Sequence, residues 1–167
     1  MRFRNYPAER LRIDSIASRL TEEENAFRMA LMERTIERGE PLDLEDPAAG
    51  DLQHPDSALL IQSLVEKRAV VKDDEGHLNF IYPVSALVTR HRVSLEDGRL
   101  FFAMCAIDSM GSAFTFEQNV VIESECSECG ERVSVRIEQG ELAEVMPASI
   151  RVLHVDLNRF DNWAGAA

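Results

Sequence analysis

Apolar residues in the first part of the chain recur at intervals of three and four residues, which is the period of amphipathic helices. The pattern predicts a first helix over residues 8–20. A second helix begins at the capping-box pair Thr21 and Glu24 and runs to about Arg38. A third helix begins at residue 56 or 57, and its apolar stripe consists of Leu59, Leu60, Leu64 and Val65.

Two further apolar runs, residues 69–71 and 78–82, flank an acidic turn that contains Gly76. Apolar runs on both sides of such a turn predict a β-hairpin. Three helices followed by a hairpin give the outline of a winged-helix-like helical domain. We expect this N-terminal domain to occupy residues 1–83.

The second half of the chain changes to the two-residue alternation of β-strands. One helix is expected near residues 108–116. The strand candidates are residues 85–93, 101–107, 120–122, 133–137 and 150–155. We therefore expect an α+β fold, in which a β-rich domain over residues 84–167 follows the helical domain.

The charge of the chain limits the classes of partner. Its 167 residues carry a formal net charge of −12. Proteins that bind duplex nucleic acid neutralise phosphates with Lys and Arg, and anionic membrane surfaces attract basic segments. The charge therefore argues against nucleic acid and membrane partners. A winged-helix regulator stays open as an alternative, although the third helix offers only Lys67 and Arg68 as cations.

The sequence also indicates the compartment. No stretch reaches the ~20 apolar residues of a membrane-spanning helix, and residues 1–12 lack the apolar run of a secretory signal. An odd number of cysteines without a signal favours free thiols over a disulfide framework. The three cysteines are Cys105, Cys126 and Cys129. We therefore predict a cytoplasmic protein with reduced thiols.

Cys105 and Asp108 lie three residues apart, where an apolar run gives way to a predicted helix. At that spacing on a helical turn, a thiol and a carboxylate share one face. The carboxylate would accept the thiol proton and pass it on, which is general acid–base chemistry. The alternative is a buried structural cysteine, with Asp108 as a helix cap.

A Cys-x-x-Cys-Gly turn at residues 126–130 lies between two strand candidates. Such a turn directs two thiolates at one point and is one half of a zinc knuckle. A tetrahedral zinc site needs two further ligands, for which the candidates are Cys105, His91 and His154. We predict a metal-binding role for Cys105, Cys126 and Cys129. The alternative is a turn that merely tolerates its cysteines.

Residues 95–110, with the core Cys-Ala-Ile-Asp, resemble the first active-site motif of the organomercurial (alkylmercury) lyase family. Residues 121–133 resemble the Ser-x-Cys turn of that family, and residues 145–148 resemble its Val-x-Pro segment. The N-terminal half is similar in layout. The resemblance covers the chain from about residue 29 to residue 155.

This resemblance implies a mercury-resistance enzyme that cleaves carbon–mercury bonds by protonolysis, without an organic cofactor. Cys105 would be the thiolate that captures the organomercurial substrate, and Asp108 would relay a proton to the departing carbon. Soft thiolates suit a soft heavy metal such as Hg. Low-molecular-weight thiols would remove the product.

The chain departs from the family at one place. The second catalytic cysteine of the family lies downstream of the region that matches Asp161 to Trp163, whereas no cysteine follows Cys129 here. Either the chain is a truncated relative, or Cys126 or Cys129 takes the place of that cysteine, or the lyase reaction is lost. The alternatives to a lyase are a non-enzymatic protein that binds Zn or Hg through its thiols, and the winged-helix regulator.

Overall fold

The computed structural model describes residues 16–46, Leu52 and residues 56–152. This part of the chain contains a 3-10 turn at Ala17–Arg19 and the α-helices α1 (Glu22–Arg38), α2 (Ser57–Glu66) and α3 (Ala106–Thr115). None of these helices is long and apolar enough to cross a membrane. The strands are β1 (Val70–Lys72), β2 (Leu78–Ile81), β3 (Val84–Ser85), β4 (His91–Leu95), β5 (Leu100–Ala103), β6 (Val120–Glu125), β7 (Arg132–Glu138) and β8 (Glu141–Met146).

The strands of the described residues form one sheet in the order β1-β2-β3-β5-β4-β6-β7-β8. Every neighbouring pair in it is antiparallel. Because β5 and β6 both pair with β4, these two strands run in the same direction and finish at the same end of the sheet. The candidate site lies at that end.

The helix α1 begins and ends where the sequence predicts. The Thr21 hydroxyl accepts a hydrogen bond from the Glu24 N–H at 3.2 Å, and the Thr21 N–H donates to the Glu24 carboxylate at 2.7 Å, so the capping box is complete. Gly39 ends the helix in the left-handed conformation, with φ 65°. Its N–H donates to the carbonyl oxygen of Thr35 at 2.8 Å.

Glu24 also joins α1 to the end of α2. Its buried carboxylate accepts hydrogen bonds from Lys67 Nζ at 2.6 Å and from Ser63 Oγ at 2.5 Å. The Lys67 hydrogen bond, followed by those from Ser63 and from the Thr21 N–H, lowers the pKa of Glu24 from 4.5 to about 2. A lowered carboxyl pKa stabilises the folded state above the unfolded pKa, and this stability is lost as the pH falls through the folded pKa.

We expect Glu24→Gln to lower the free energy of unfolding at pH 7 by about 1–3 kcal/mol, because the charged hydrogen bonds to Lys67 and Ser63 are lost. Since glutamine does not titrate, the stability of the variant should fall less steeply than that of the wild type between pH 4.5 and about 2. Urea unfolding across this range measures both effects. The control is Glu23→Gln, which changes an exposed carboxylate in the same helical turn. An unchanged pH slope in Glu24→Gln would contradict the assignment.

The helix α3 packs against β4, β5 and β6. Its buried positions Ser109, Ser112 and Ala113 are all small, which allows the helix to approach the sheet closely. The buried residues of the central strands alternate with more exposed ones. They are Val93, Leu95, Phe101, Ala103, Val120, Ile122, Val135 and Ile137. This packing fixes the N-terminus of α3 at the end of β5.

The mixed α+β architecture that the sequence predicts is confirmed. Two helices and the hairpin of the winged-helix-like outline are present as α1, α2 and β1–β2. In the first predicted helix, residues 17–19 form a 3-10 turn and residues 8–15 lie outside the described part of the chain. The winged-helix arrangement and the division between residues 83 and 84 stay predictions. The sheet itself runs across that position, because β2 pairs with β3.

Three of the strand predictions need correction. The predicted strand 101–107 ends at Ala103, and the chain is helical from Ala106. The predicted strand 85–93 is interrupted by a loop at residues 86–90, where the Thr89 hydroxyl donates to the carbonyl oxygen of Ala103 at 2.5 Å. Residues 150–152 are not in a strand, and the rest of the predicted strand 150–155 lies outside the described residues. The sequence did not predict β8, whose side chains are mostly exposed and give no alternating pattern.

Candidate functional site

The site begins at the junction of β5 and α3. β5 ends at Ala103, and the apolar run that the sequence analysis placed in a strand becomes helical at Ala106. Cys105 is the N-cap residue of α3 and has an extended backbone, with φ −141° and ψ 175°. Asp108 lies in the first turn of the helix. The strand therefore delivers the thiol to the helix start, where the carboxylate meets it.

The Cys105 thiol is half-buried and has a raised pKa. Burial is the largest cause and repulsion by the Asp108 carboxylate is the next, and together they raise the pKa of Cys105 from 9.0 to about 12. The backbone N–H groups of Ile107 and Asp108 oppose this rise, although neither makes a capping hydrogen bond. The Asp108 side chain therefore acts directly on the thiol. The resting sulfur is therefore protonated, and its proton faces an acceptor.

Tyr82, in the connection between β2 and β3, covers the same face of α3. A Cβ atom added at Gly111 would lie 2.5 Å from the Tyr82 hydroxyl oxygen and 3.4 Å from Cζ, so any side chain at this position requires the ring to move. Burial raises the pKa of Tyr82, and the charges of Asp108 and Cys105 raise it further. The phenol therefore belongs to the surroundings of the thiol–carboxylate pair.

Arg28 of α1 holds the Tyr82 connection in place. Its Nη1 donates to the carbonyl oxygen of Tyr82 at 2.7 Å, and its Nη2 donates to Asn25 Oδ1 at 2.9 Å. The Tyr82 N–H donates to the carbonyl oxygen of Ala69 at 2.9 Å. Arg28 is 3% exposed, and its burial lowers its pKa. A buried cation with these partners fixes the backbone of Tyr82 relative to α1.

The sequence analysis did not identify Tyr82, Arg28 or Gly111. Two features of the sequence nevertheless indicated Gly111 and Arg28. Glycine inside a helix costs about 1 kcal/mol relative to alanine, so Gly111 indicates a close approach to the helix. Arg28 lies three and four residues before Leu31 and Met32 and therefore shares their buried face, where a cation needs a specific partner.

His91 of β4 and Ser124 of β6 lie at the end of the sheet where β5 and β6 finish. His91 is the first residue of β4, pairs with Ala103 across the sheet, and has its Nδ1 2.8 Å from Ser124 Oγ. Burial, followed by the charge of Arg90, lowers the pKa of His91. Cys126 follows β6 directly, so it leaves the sheet at the same end as Cys105, with one strand between them.

The Cys-x-x-Cys turn connects β6 and β7. The Cys126 N–H donates to the carbonyl oxygen of Glu131 at 2.9 Å, and the Gly130 N–H donates to that of Cys126 at 3.0 Å. The backbone N–H groups of Cys129 and Glu128, together with the Cys129 thiol, act on the Cys126 sulfur and lower its pKa. Cys126 is partly exposed and Cys129 is exposed. The turn therefore places both cysteines in one short loop, and the joint use of their thiols stays a prediction.

The three cysteines do not meet in one metal site. Among the described residues, no three His, Cys, Asp or Glu side chains are placed to hold a metal ion together. His91 is described and His154 is not. The predicted ligand set of Cys105, Cys126 and Cys129 is therefore not assembled in this structure, and metal binding by these residues stays a prediction.

Two cavities in the described part of the chain lie away from the Cys105 thiol. One of about 270 Å³ is bounded by α1 and by strands β3, β4 and β5, and another of about 210 Å³ lies along β4, β6 and β7. Neither includes Cys105 or Asp108 in its lining. The pair instead occupies a half-exposed position at the end of the sheet.

Comparisons with known proteins concern the family and the fold. A family model described as alkylmercury lyase matches residues 84–166, which include all three cysteines. The crystal structure of the mercury-bound form of MerB2 matches with a TM-score of 0.58 at 21% sequence identity. The match covers 80% of this chain but only 65% of the MerB2 chain. At this identity the structural match shows a shared fold. No curated protein matches the sequence significantly.

Proposed function

The chain belongs to the alkylmercury lyase family, and we propose that it binds organomercurial compounds and cleaves their carbon–mercury bond by protonolysis. The observation that carries this proposal is the placement of Cys105 and Asp108 together at the N-terminus of α3. One group is a ligand for a soft metal and the other is a proton carrier. Both lie inside the region that matches the family.

The first step exchanges the thiol proton for mercury. Mercury forms a bond with Cys105 Sγ, the ligand that the organomercurial carried is released, and the thiol proton passes to the Asp108 carboxylate. A metal ion deprotonates a thiol that coordinates it, so the raised pKa of Cys105 does not prevent capture. The carboxylate that repels the thiolate in the resting state thus becomes the acceptor of its proton.

The second step breaks the carbon–mercury bond. A second thiolate binds mercury, and the proton on Asp108 passes to the departing carbon. The hydrocarbon leaves, and the mercury stays on the protein, bound to two sulfurs. No electrons are gained or lost by the protein. We propose that the second thiolate comes from Cys126 or Cys129, which leave the sheet at the same end as Cys105, or from a low-molecular-weight thiol.

The organic group of the substrate needs an apolar surface near the sulfur. Ile107 follows Cys105 in α3 and is 37% exposed. Leu87 and Val88 are exposed in the loop before β4. A hydrogen bond from Thr89 to the carbonyl oxygen of Ala103 holds this loop near Cys105, because Ala103 precedes Cys105 by two residues. We propose that these side chains contact the alkyl or aryl group, because burial of apolar surface favours such contacts.

Two coarser features of the proposal concern the whole chain. We propose that residues 1–83 form the winged-helix-like domain and residues 84–167 the domain that carries the chemistry, since the family match begins at position 84. The ion pair between Arg99 and Glu33 joins the two parts. We also propose a reducing, cytoplasmic setting, because the reaction requires free thiols.

Release of hydrocarbon from methylmercury or phenylmercury in the presence of excess thiol tests the function. We expect the wild type to turn over and Cys105→Ser to give no release above the thiol background, because serine is a hard and weak ligand for mercury. Ser127→Ala, at an exposed position of the β6–β7 turn, is the control and should behave as the wild type. Equal turnover by Cys105→Ser would remove the proposal. A low rate in Cys126→Ser or Cys129→Ser identifies the second thiolate.

A further inference from the structure

The turn between β6 and β7 is built as a binding loop for two sulfurs. The hydrogen bonds of Cys126 with Glu131 and Gly130 close the turn at its base, at 2.9 and 3.0 Å. Gly130 has φ 72°, a conformation that a glycine adopts without strain. These backbone constraints hold the two cysteines on one side of the loop.

Within the turn the two cysteines lie close together along the chain. They are three positions apart, and the hydrogen bond from the Gly130 N–H to the carbonyl oxygen of Cys126 folds the loop back on itself between them. Both cysteines are accessible to solvent to some degree, so an ion can reach them without a change in fold.

The number of ligands decides which ion this loop suits. Structural zinc sites take four ligands, but no third His, Cys, Asp or Glu joins the two cysteines among the residues that the structure describes. Soft ions prefer thiolate ligands. Mercury(II) readily takes two thiolates in a linear, two-coordinate arrangement. We propose that Cys126 and Cys129 form a two-thiolate site for a soft ion of this kind, and that inorganic Hg²⁺ is its ion.

The choice of Hg²⁺ as the natural ion rests on the proposed function, because protonolysis leaves inorganic mercury on thiolates. Binding is a ligand exchange: each entering thiol forms a bond to mercury and releases one proton, and no oxidation occurs. The turn and Cys105 leave the same end of the sheet. An exposed pair at this position would accept inorganic mercury from Cys105 and pass it to thiols in solution.

The site is tested apart from the lyase reaction in the full-length Cys105→Ser protein, where Cys126 and Cys129 are the remaining cysteines. HgCl₂ is added in the presence of a monothiol competitor. We expect one mercury per monomer by native mass spectrometry, with loss of both titratable thiols. A further Cys126→Ser or Cys129→Ser substitution should weaken retention by about a hundredfold or more, because a chelating pair gains from its high effective concentration.

A control variant and three further results distinguish this site from the alternatives. Ser127→Ala leaves both sulfurs in place and should retain mercury as the Cys105→Ser parent does. Retention that is unaffected by Cys126→Ser, or tighter binding of Zn²⁺ with one ion per two chains, would overturn the assignment. If the pair holds mercury but the wild type releases no hydrocarbon, the proposed lyase function is removed and the two-thiolate site stands.

Discussion

Asp108→Asn is expected to stop hydrocarbon release while making the Cys105 thiol about tenfold faster to alkylate. The thiolate is the form of cysteine that reacts with alkylating agents. Burial is the main reason that the pKa of Cys105 lies at about 12, and the Asp108 carboxylate is the next. Asparagine removes the negative charge but leaves the burial, so the pKa should fall part of the way towards 9.0. Each unit of pKa changes the thiolate fraction tenfold.

The same substitution removes the group that carries the proton. General acid–base groups contribute about 10²–10⁴-fold to a rate, and asparagine neither accepts the thiol proton nor delivers it to carbon. A substitution that activates the sulfur and abolishes protonolysis separates the two roles of the pair. A cysteine with only a structural role would not give opposite changes in these two measurements.

The alkylation rate is measured with iodoacetamide between pH 7 and pH 11 in a Cys126→Ser, Cys129→Ser background, where Cys105 is the one cysteine left. Hydrocarbon release is measured separately with all three cysteines present. Glu141→Gln, an exposed substitution at the start of β8, is the control for release. Slower alkylation of the asparagine variant, or undiminished release, would contradict the assigned relation between Cys105 and Asp108.

Local rules account for the features that the sequence predicted well. The capping box at Thr21 and the glycine stop at Gly39 depend on residues within one turn of the helix end. The proximity of Cys105 and Asp108 follows from their spacing at a helix start. The Cys-x-x-Cys turn likewise depends on a few adjacent residues and one glycine.

Long-range contacts account for the structural features that could not be predicted from the sequence. Arg28 and Tyr82 are 54 positions apart, and nothing local pairs them. The interruption of the predicted strand 85–93 depends on a hydrogen bond from Thr89 to the carbonyl oxygen of Ala103, on another strand. The exposed strand β8 shows no alternation of apolar and polar residues, because it packs little against a core.

Because Tyr82 approaches α3 closely, we expect Gly111→Ala to have opposite effects on the free energy of unfolding in the wild type and in Tyr82→Phe. In the wild type, Gly111→Ala places a methyl group 2.5 Å from the Tyr82 hydroxyl oxygen. The ring cannot swing aside freely, since Arg28 and Ala69 hold its backbone and Phe80 lies edge-on at 6.4 Å between ring centroids. Overpacking of this kind costs about 1–3 kcal/mol. We therefore expect the variant to be less stable, despite the higher helix propensity of alanine.

In the Tyr82→Phe background the hydroxyl is absent, and the nearest ring atom lies 3.4 Å from the added methyl group, which is close to ordinary contact. The helix propensity of alanine then dominates, and Gly111→Ala should stabilise the protein by up to about 1 kcal/mol. Urea unfolding of the wild type, both single variants and the double variant gives the coupling energy directly.

Activity should follow the same pattern if the phenol helps to shape the site around Cys105 and Asp108. A displacement of about 1 Å near reacting groups can cost up to about a hundredfold in rate, so Gly111→Ala is expected to lower hydrocarbon release by about ten- to a hundredfold. The addition of Tyr82→Phe relieves the displacement and should restore part of this loss. If Gly111→Ala has the same effect on stability and on release in both backgrounds, the contact between the Tyr82 hydroxyl and α3 does not shape the site.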